Sequence, residues 1–174
     1  MRLPLEISRM SSGSERNERY RSPLKSYYKS LLRNSLGRAS VIKIIEKPGK
    51  RFNYLNINTK ILAILIRRTN GKTLTKYTQK KIWEPLKMEQ PELWGLDDEA
   101  DMEKAFCCLY SSVRDYAKLG EFFLQIGRCT GQQLLNKDFI EKMTHPELSP
   151  KYGYGTWMDY EYKLAFFAYV GLLG

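Results

Sequence analysis

Residues 50–60, KRFNYLNINTK, place a Tyr-x-Asn triplet (Tyr54, Leu55, Asn56) just after Phe52 and just before the apolar run ILAILI at 61–66. A tyrosine at the mouth of an apolar helix has two readings: a catalytic base, or an aromatic ring packed into the core. Asn56 or Asn58 is suited to the N-cap of that helix, because an asparagine side chain accepts a backbone N–H of the first turn. The helix is expected to run through Arg68 and to end at Asn70-Gly71, where glycine takes up the left-handed turn. Which reading of Tyr54 holds depends on what surrounds it.

Upstream, Pro48-Gly49 breaks the chain before the triplet, and Pro23 opens a short helix, SPLKSYYKSLLRN, over 22–34, after the polar, arginine-rich SSGSERNERYRS. Downstream, KTLTKYTQKKIW (72–83) reads as a helix that stops near Trp83 because Pro85 follows. GLDDEADMEKA (95–105) reads as an acidic loop. In SSVRDYAKLGEFFLQIG (111–127), Ser112 and Asp115 form a capping arrangement and Gly127 closes the end. Its apolar residues recur at Val113, Tyr116, Ala117, Gly120, Phe123 and Leu124. A further helix, LLNKDFIEKM (134–143), stops at His145-Pro146. The aromatic-rich end, 152–174, reads as an antiparallel pair of strands around a polar centre at Asp159–Tyr162, the second strand apolar enough for the interior of a sheet.

Composition narrows the class. A chain of 174 residues, 43% hydrophobic and 28% charged, builds one sizeable core, as one domain or a piece of a larger one. The net charge of +10 is unevenly placed: residues 1–87 hold 21 basic against 5 acidic side chains, and residues 88–174 hold 8 against 14. A basic half invites a nucleic-acid or membrane reading, yet no zinc-finger, ribonucleoprotein or KH signature is present, so no specific nucleic-acid partner is expected. Cys107, Cys108 and Cys129 show no CxxC spacing, and adjacent cysteines are poor partners for one another, so all three read as buried thiols. The single His145 lacks a second ligand and reads as a loop or cap residue, and neither a metal nor a cofactor is expected. No apolar stretch reaches the length of a membrane span or of a secretion signal, so the chain as written reads as soluble and cytoplasmic.

The blocks MSSGSERNERY (10–20), FNYLNINTKILAILIRRTNGKTL (52–74), EPLKM (84–88), SSVRDYAKLGEFFLQIGRCTGQQLL (111–135) and YGYGTW (152–157), in that order and spacing, resemble the β-lactamase-related serine hydrolases. The flavour is that of penicillin-binding-protein-like esterases and aminohexanoate-oligomer hydrolases. The resemblance covers nearly the whole chain and implies an α+β fold: the helical region of a β-lactamase/transpeptidase-like domain plus the start of its returning antiparallel sheet. It implies acyl transfer to or hydrolysis of a small ester or amide. The family's parts are a Ser-x-x-Lys pair on a central helix, a Tyr-x-Asn element, and a glycine-bearing strand that helps hold an oxyanion. Proteins of this family are often periplasmic or secreted.

By position Tyr54 matches the family tyrosine and Asn56 or Asn58 the polar residue after it, while Tyr20 and Gly171 match places that contact substrate. The family's Ser-x-x-Lys helix lies well upstream of the segment like MSSG, and nine residues precede Met10. Ser22-Pro-Leu-Lys25 and Ser26-Tyr-Tyr-Lys29 fit the pattern but follow MSSG, where the family has no nucleophile. At the other end, Leu173 stands where the oxyanion strand has His or Gly. Lys87 replaces the glycine of the family's PLGM, and Arg16 an aromatic residue.

Residues 1–174 therefore read as a partial domain lacking the nucleophile helix and the last core strands. A serine is a weak nucleophile without a base, and a tyrosine of free pKa near 10 serves as one only beside a cation. Tyr54 reads as a vestigial general base. Three functions stay open: a truncated hydrolase inactive alone, one half of a split enzyme completed by an N-terminal fragment carrying Ser-x-x-Lys, or a basic helical binding protein.

Overall fold

The computed structural model describes residues 3–15, 43–97, 102–159 and 166–167. The expected helix over 22–34, with Arg16, Tyr20, Ser22 and Ser26, lies outside the described residues, as do Gly171 and Leu173. The architecture is α+β, helices interspersed with two-residue strands. The helices are α1 (Leu3–Ser8), α2 (Asn56–Asn70), α3 (Leu74–Thr78), α4 (Val113–Leu124) and α5 (Lys137–Thr144). The strands are β1 (Leu93–Trp94), β2 (Leu96–Asp97), β3 (Met102–Glu103), β4 (Leu109–Tyr110), β5 (Arg128–Cys129), β6 (Gln132–Gln133), β7 (Met158–Asp159) and β8 (Phe166–Phe167). By its internal contacts the chain divides into two units, Met1–Thr75 with Trp94–Cys108, and Lys76–Leu93 with Leu109–Gly174.

In the first unit α1 packs on α2. The core gathers Ala63 and Ile64 of α2 with Leu74 and Met102, flanked by Ile66, Trp94 and Ala105. α2 begins at Asn56, one residue earlier than an Asn56 cap and three earlier than an Asn58 cap would set it. Leu55 is the N-cap, with extended backbone and no side-chain capping bond, and Asn56 and Asn58 lie inside the first turn. Asn58 is fully buried, so its amide is taken up by packing and does not face the open N–H groups. The far end is as expected: Gly71, at φ +64°, donates its N–H to Arg67 O. The acidic stretch forms more than a loop, since β2 and β3 pair antiparallel with Leu96 opposite Glu103 and Asp97 opposite Met102.

The adjacent cysteines also depart from expectation. Cys107 and Cys108 are joined in a disulfide, and only Cys129 is a free thiol among the described residues. Cys108 adopts φ +66°, and this left-handed turn of the backbone brings the two adjacent side chains together, which an extended or helical chain would not do.

The second unit opens with the end of α3 and a π-helical turn, Gln79–Trp83, after which Glu84 N–H reaches Gln79 O. Asp115 ties the segment after it to α4. The Asp115 carboxylate accepts Glu89 N–H (2.7 Å), Gln90 N–H (3.1 Å) and the hydroxyls of Ser111 and Ser112. Ser112 in turn caps the helix by accepting Asp115 N–H, so the expected capping arrangement is present. The buried side of α4 is not the expected one: Asp115 and Phe122 are buried, whereas Val113 is 86% and Leu124 72% exposed. The network around Asp115 sets the rotation of the helix and overrides its apolar periodicity. α4 closes with Gly127 N–H on Phe122 O and Ile126 N–H on Phe123 O, and both Ile126 (φ +53°) and Gly127 (φ +73°) are left-handed.

β5 and β6 then form a hairpin through Thr130 and Gly131, both at positive φ, a turn the sequence reading had passed over. α5 starts at Lys137, three residues later than expected, because the Asn136 side chain accepts Phe139 N–H and caps it there. His145 is its C-cap, exposed, as anticipated. β7 and β8 pair antiparallel, Met158 opposite Phe167, in keeping with the expected returning strands. Among the described residues no helix is long and apolar enough to cross a membrane.

Candidate active site

The sequence around Tyr54 folds as an entry strand that turns into α2, and the MSSGS segment holds that entry in place. Asn53 N–H donates to Met10 O (2.7 Å), and the buried Asn58 amide reaches Met10 Sδ (3.5 Å). Gly13 makes the crossing possible. It sits at φ +72°, and any Cβ there would overlap Glu46 O, while Gly13 O accepts Ile45 N–H and Glu46 N–H. Ser11, Ser12 and Ser14 are all buried; Ser11 Oγ donates to Glu6 O, and Ser12 Oγ and Ser14 Oγ have no hydrogen-bond partner among the described residues. The segment is thus a buried polar layer beneath the α2 entry. A buried hydroxyl without a partner costs stability.

Of the residues singled out from sequence, the structure brings three together. Tyr54 and Asn56 are half-buried on either side of Leu55 at the α2 entry, and Asn58 lies one turn in. Tyr20 and Gly171 fall outside the described residues.

A fourth residue was missed. Lys60 is 1% exposed, and its ammonium donates to Glu103 O (2.8 Å). The signal was available, because Lys60 lies in phase with the buried Ile57 and Ile64, at i+3 and i+7 of one helix face. A buried ammonium is tolerated only where it is hydrogen-bonded. Next to it, burial is the largest single effect on the Glu103 carboxyl and pushes its pKa up, but the Thr75 N–H and hydroxyl, each 2.8 Å from Oε1, together with the Glu103 and Leu74 backbone N–H groups hold it below the ordinary carboxylate value. The result is a buried lysine head group and a carboxylate side by side inside the unit that carries Tyr54.

Of a further Ser-x-x-Lys spacing, Ser40-Val-Ile-Lys43, only Lys43 is among the described residues; its carbonyl accepts Glu15 N–H, beside the bridge between Ser14 and Ile44. In unit two, Lys87 takes φ +51°, the conformation for which a glycine is suited.

Comparison with known proteins gives a consistent picture. The family model described as Beta-lactamase matches residues 6–171. No curated protein matches the chain. Among solved structures, a Bacillus anthracis protein assigned as a 6-aminohexanoate-dimer hydrolase superposes with a TM-score of 0.75 at 23% identity, over 88% of this chain and 46% of the other. A protein from Bacteroides dorei DSM 17855 assigned as a beta-lactamase gives 0.63 at 16%, over 93% and 55%. A penicillin binding protein from Bacillus halodurans gives 0.62 at 17%, over 88% and 56%. At these identities the likeness speaks to the fold, and the chain spans about half the length of each.

Proposed function

This chain belongs to the beta-lactamase family, and on that premise we propose that the α2 entry is the tyrosine-bearing wall of a serine acyl-hydrolase site acting on a small ester or amide. Tyr54 is the inherited proton acceptor, and Asn56 and Asn58 are its polar flank. The observation that carries this reading is the placement of Tyr54-x-Asn56 at the mouth of a 15-residue helix, over the buried MSSGS layer. The chemistry it would serve needs a serine Oγ that gives its proton to the phenolate as it attacks the acyl carbon, and a cation that keeps the phenol acidic. The family resemblance assigns that cation to the lysine of the Ser-x-x-Lys pair; the bond described for Lys60 runs to Glu103 O.

The 174 residues by themselves are accordingly proposed to be inactive. A complementary polypeptide carrying the N-terminal strands and a Ser-x-x-Lys helix would supply both missing groups. The purified chain should not be labelled by a fluorophosphonate; stoichiometric labelling at Ser22 or Ser26, lost on mutation to Ala, would assign the nucleophile to this chain instead. With the complementary polypeptide added, hydrolysis of nitrophenyl acetate is expected to appear and to vanish in Tyr54→Phe while the complex persists. Turnover that survives Tyr54→Phe would remove Tyr54 from the base role. Binding without turnover would mark the chain as a decayed enzyme.

A further inference from the structure

The Cys107–Cys108 disulfide lies in the first unit, in a stretch the acyl-transfer reading does not use. Around it the backbone is tied closely. Cys107 N–H donates to Lys104 O (2.9 Å), Gly95 N–H to Cys108 O (2.8 Å) and Lys104 N–H to Gly95 O (2.8 Å). The Trp94 indole N–H is shared between Lys104 O (3.2 Å) and Cys107 O (3.1 Å). A Cβ on Gly95 would come within 2.9 Å of Cys108 Cβ, so the two strands of this stretch are in close contact at the pair. One residue before Lys104 stands Glu103, whose carbonyl receives the buried Lys60 ammonium.

We propose that Cys107–Cys108 is a redox-operated clasp on this turn, opened by a dithiol reductant and read out through Trp94. The closed ring fixes Cys108 in the left-handed region, which a residue with a Cβ rarely occupies unconstrained. Opening the ring frees that residue to return to φ below zero, and the carbonyls that hold the indole move with it. Both cysteines are half-buried, so a small dithiol reaches them without unfolding the unit. The step is thiol–disulfide exchange. One thiolate of the reductant attacks one sulfur, the Cys107–Cys108 bond breaks, and the other sulfur leaves as thiolate and takes up a proton. The second thiol of the reductant then displaces the mixed disulfide, so that two electrons pass to the protein pair and the reductant ends as a cyclic disulfide. The clasp is independent of the acyl-transfer reading and stands or falls without it.

The full chain, purified without reductant, unfolded and treated with N-ethylmaleimide, should carry one label, on Cys129, and three after dithiothreitol. The tryptic peptide AFCCLYSSVR (105–114) should be lighter by two hydrogens before reduction. In the folded chain, titration with dithiothreitol redox buffers should shift the tryptophan emission with the same midpoint as the labelling. That shift should be lost in Trp94→Phe, which keeps both cysteines. Labelling of all three cysteines before reduction overturns the clasp. So does a reduction that proceeds without any change in emission, or a change that persists in Trp94→Phe.

Discussion

Lys87 and Ile126 both hold a left-handed backbone with a side chain attached. For an L-residue with a Cβ that conformation costs roughly 1–2 kcal/mol, most for a β-branched one. Among the described residues the Lys87 side chain makes no hydrogen bond or ion pair that would offset this; its carbonyl, which accepts the Lys118 ammonium at 2.7 Å, is retained by any residue. Lys87→Gly and Ile126→Gly should therefore each stabilise the chain by about 1 kcal/mol, less the extra freedom glycine gives the unfolded state. A rise of a few degrees in the thermal midpoint is the expected reading, and a fall in both would show that the side chains pack in ways the turns do not reveal. The sequence alone showed that Lys87 stands in a glycine's place, but not that the backbone had kept the glycine's conformation. Backbone dihedrals are set by the loop's hydrogen bonds, here Lys87 N–H on Glu84 O and Met88 N–H on Trp83 O, and no single residue's preference reports them.

At the level of elements, α4 shows how far periodicity carries. Its existence, its Ser112 cap and its end near Gly127 were legible because caps are local chemistry. Its buried face was not, because Asp115, a charged residue read only as a cap partner, is the point about which the helix is docked. The same limit applies to α2, where the triplet and the Gly71 stop were legible and the burial of Lys60 was overlooked. Hydrogen bonds from the Glu89 N–H above all, with those from Ser112, Gln90 and Ser111, hold the Asp115 carboxyl at about 2, below its ordinary 3.8, against the opposing effect of burial. A carboxyl whose pKa is lower in the folded chain contributes stability that is complete above the unfolded value and is lost as pH falls through the folded one. Acid unfolding should thus steepen between roughly pH 4 and pH 2. In Asp115→Asn the urea midpoint at neutral pH should be lower and that part of the pH dependence shallower. An unchanged acid limb would mean that other carboxylates dominate it.

At the scale of the whole molecule the exposed side of α4 is an apolar surface, with Val113 86% and Leu124 72% exposed and Tyr110 62% exposed just before the helix. Exposed apolar area of this kind favours association. The double variant Val113→Lys, Leu124→Glu should bind less hydrophobic dye and scatter less light at high concentration while unfolding at the same temperature; undiminished association would place the sticky surface elsewhere. Lys60 supplies a different kind of probe. Its amine lies sealed under Glu103 O, while Lys72 and Lys80 stand in solvent on the same chain. An amine-reactive ester should therefore modify Lys72 and Lys80 at once and Lys60 only when α2 parts from β3. The slow appearance of the Lys60 adduct becomes a clock for opening events in the native protein. Since the modified lysine can no longer return its ammonium to that carbonyl, each event is recorded permanently, one molecule at a time.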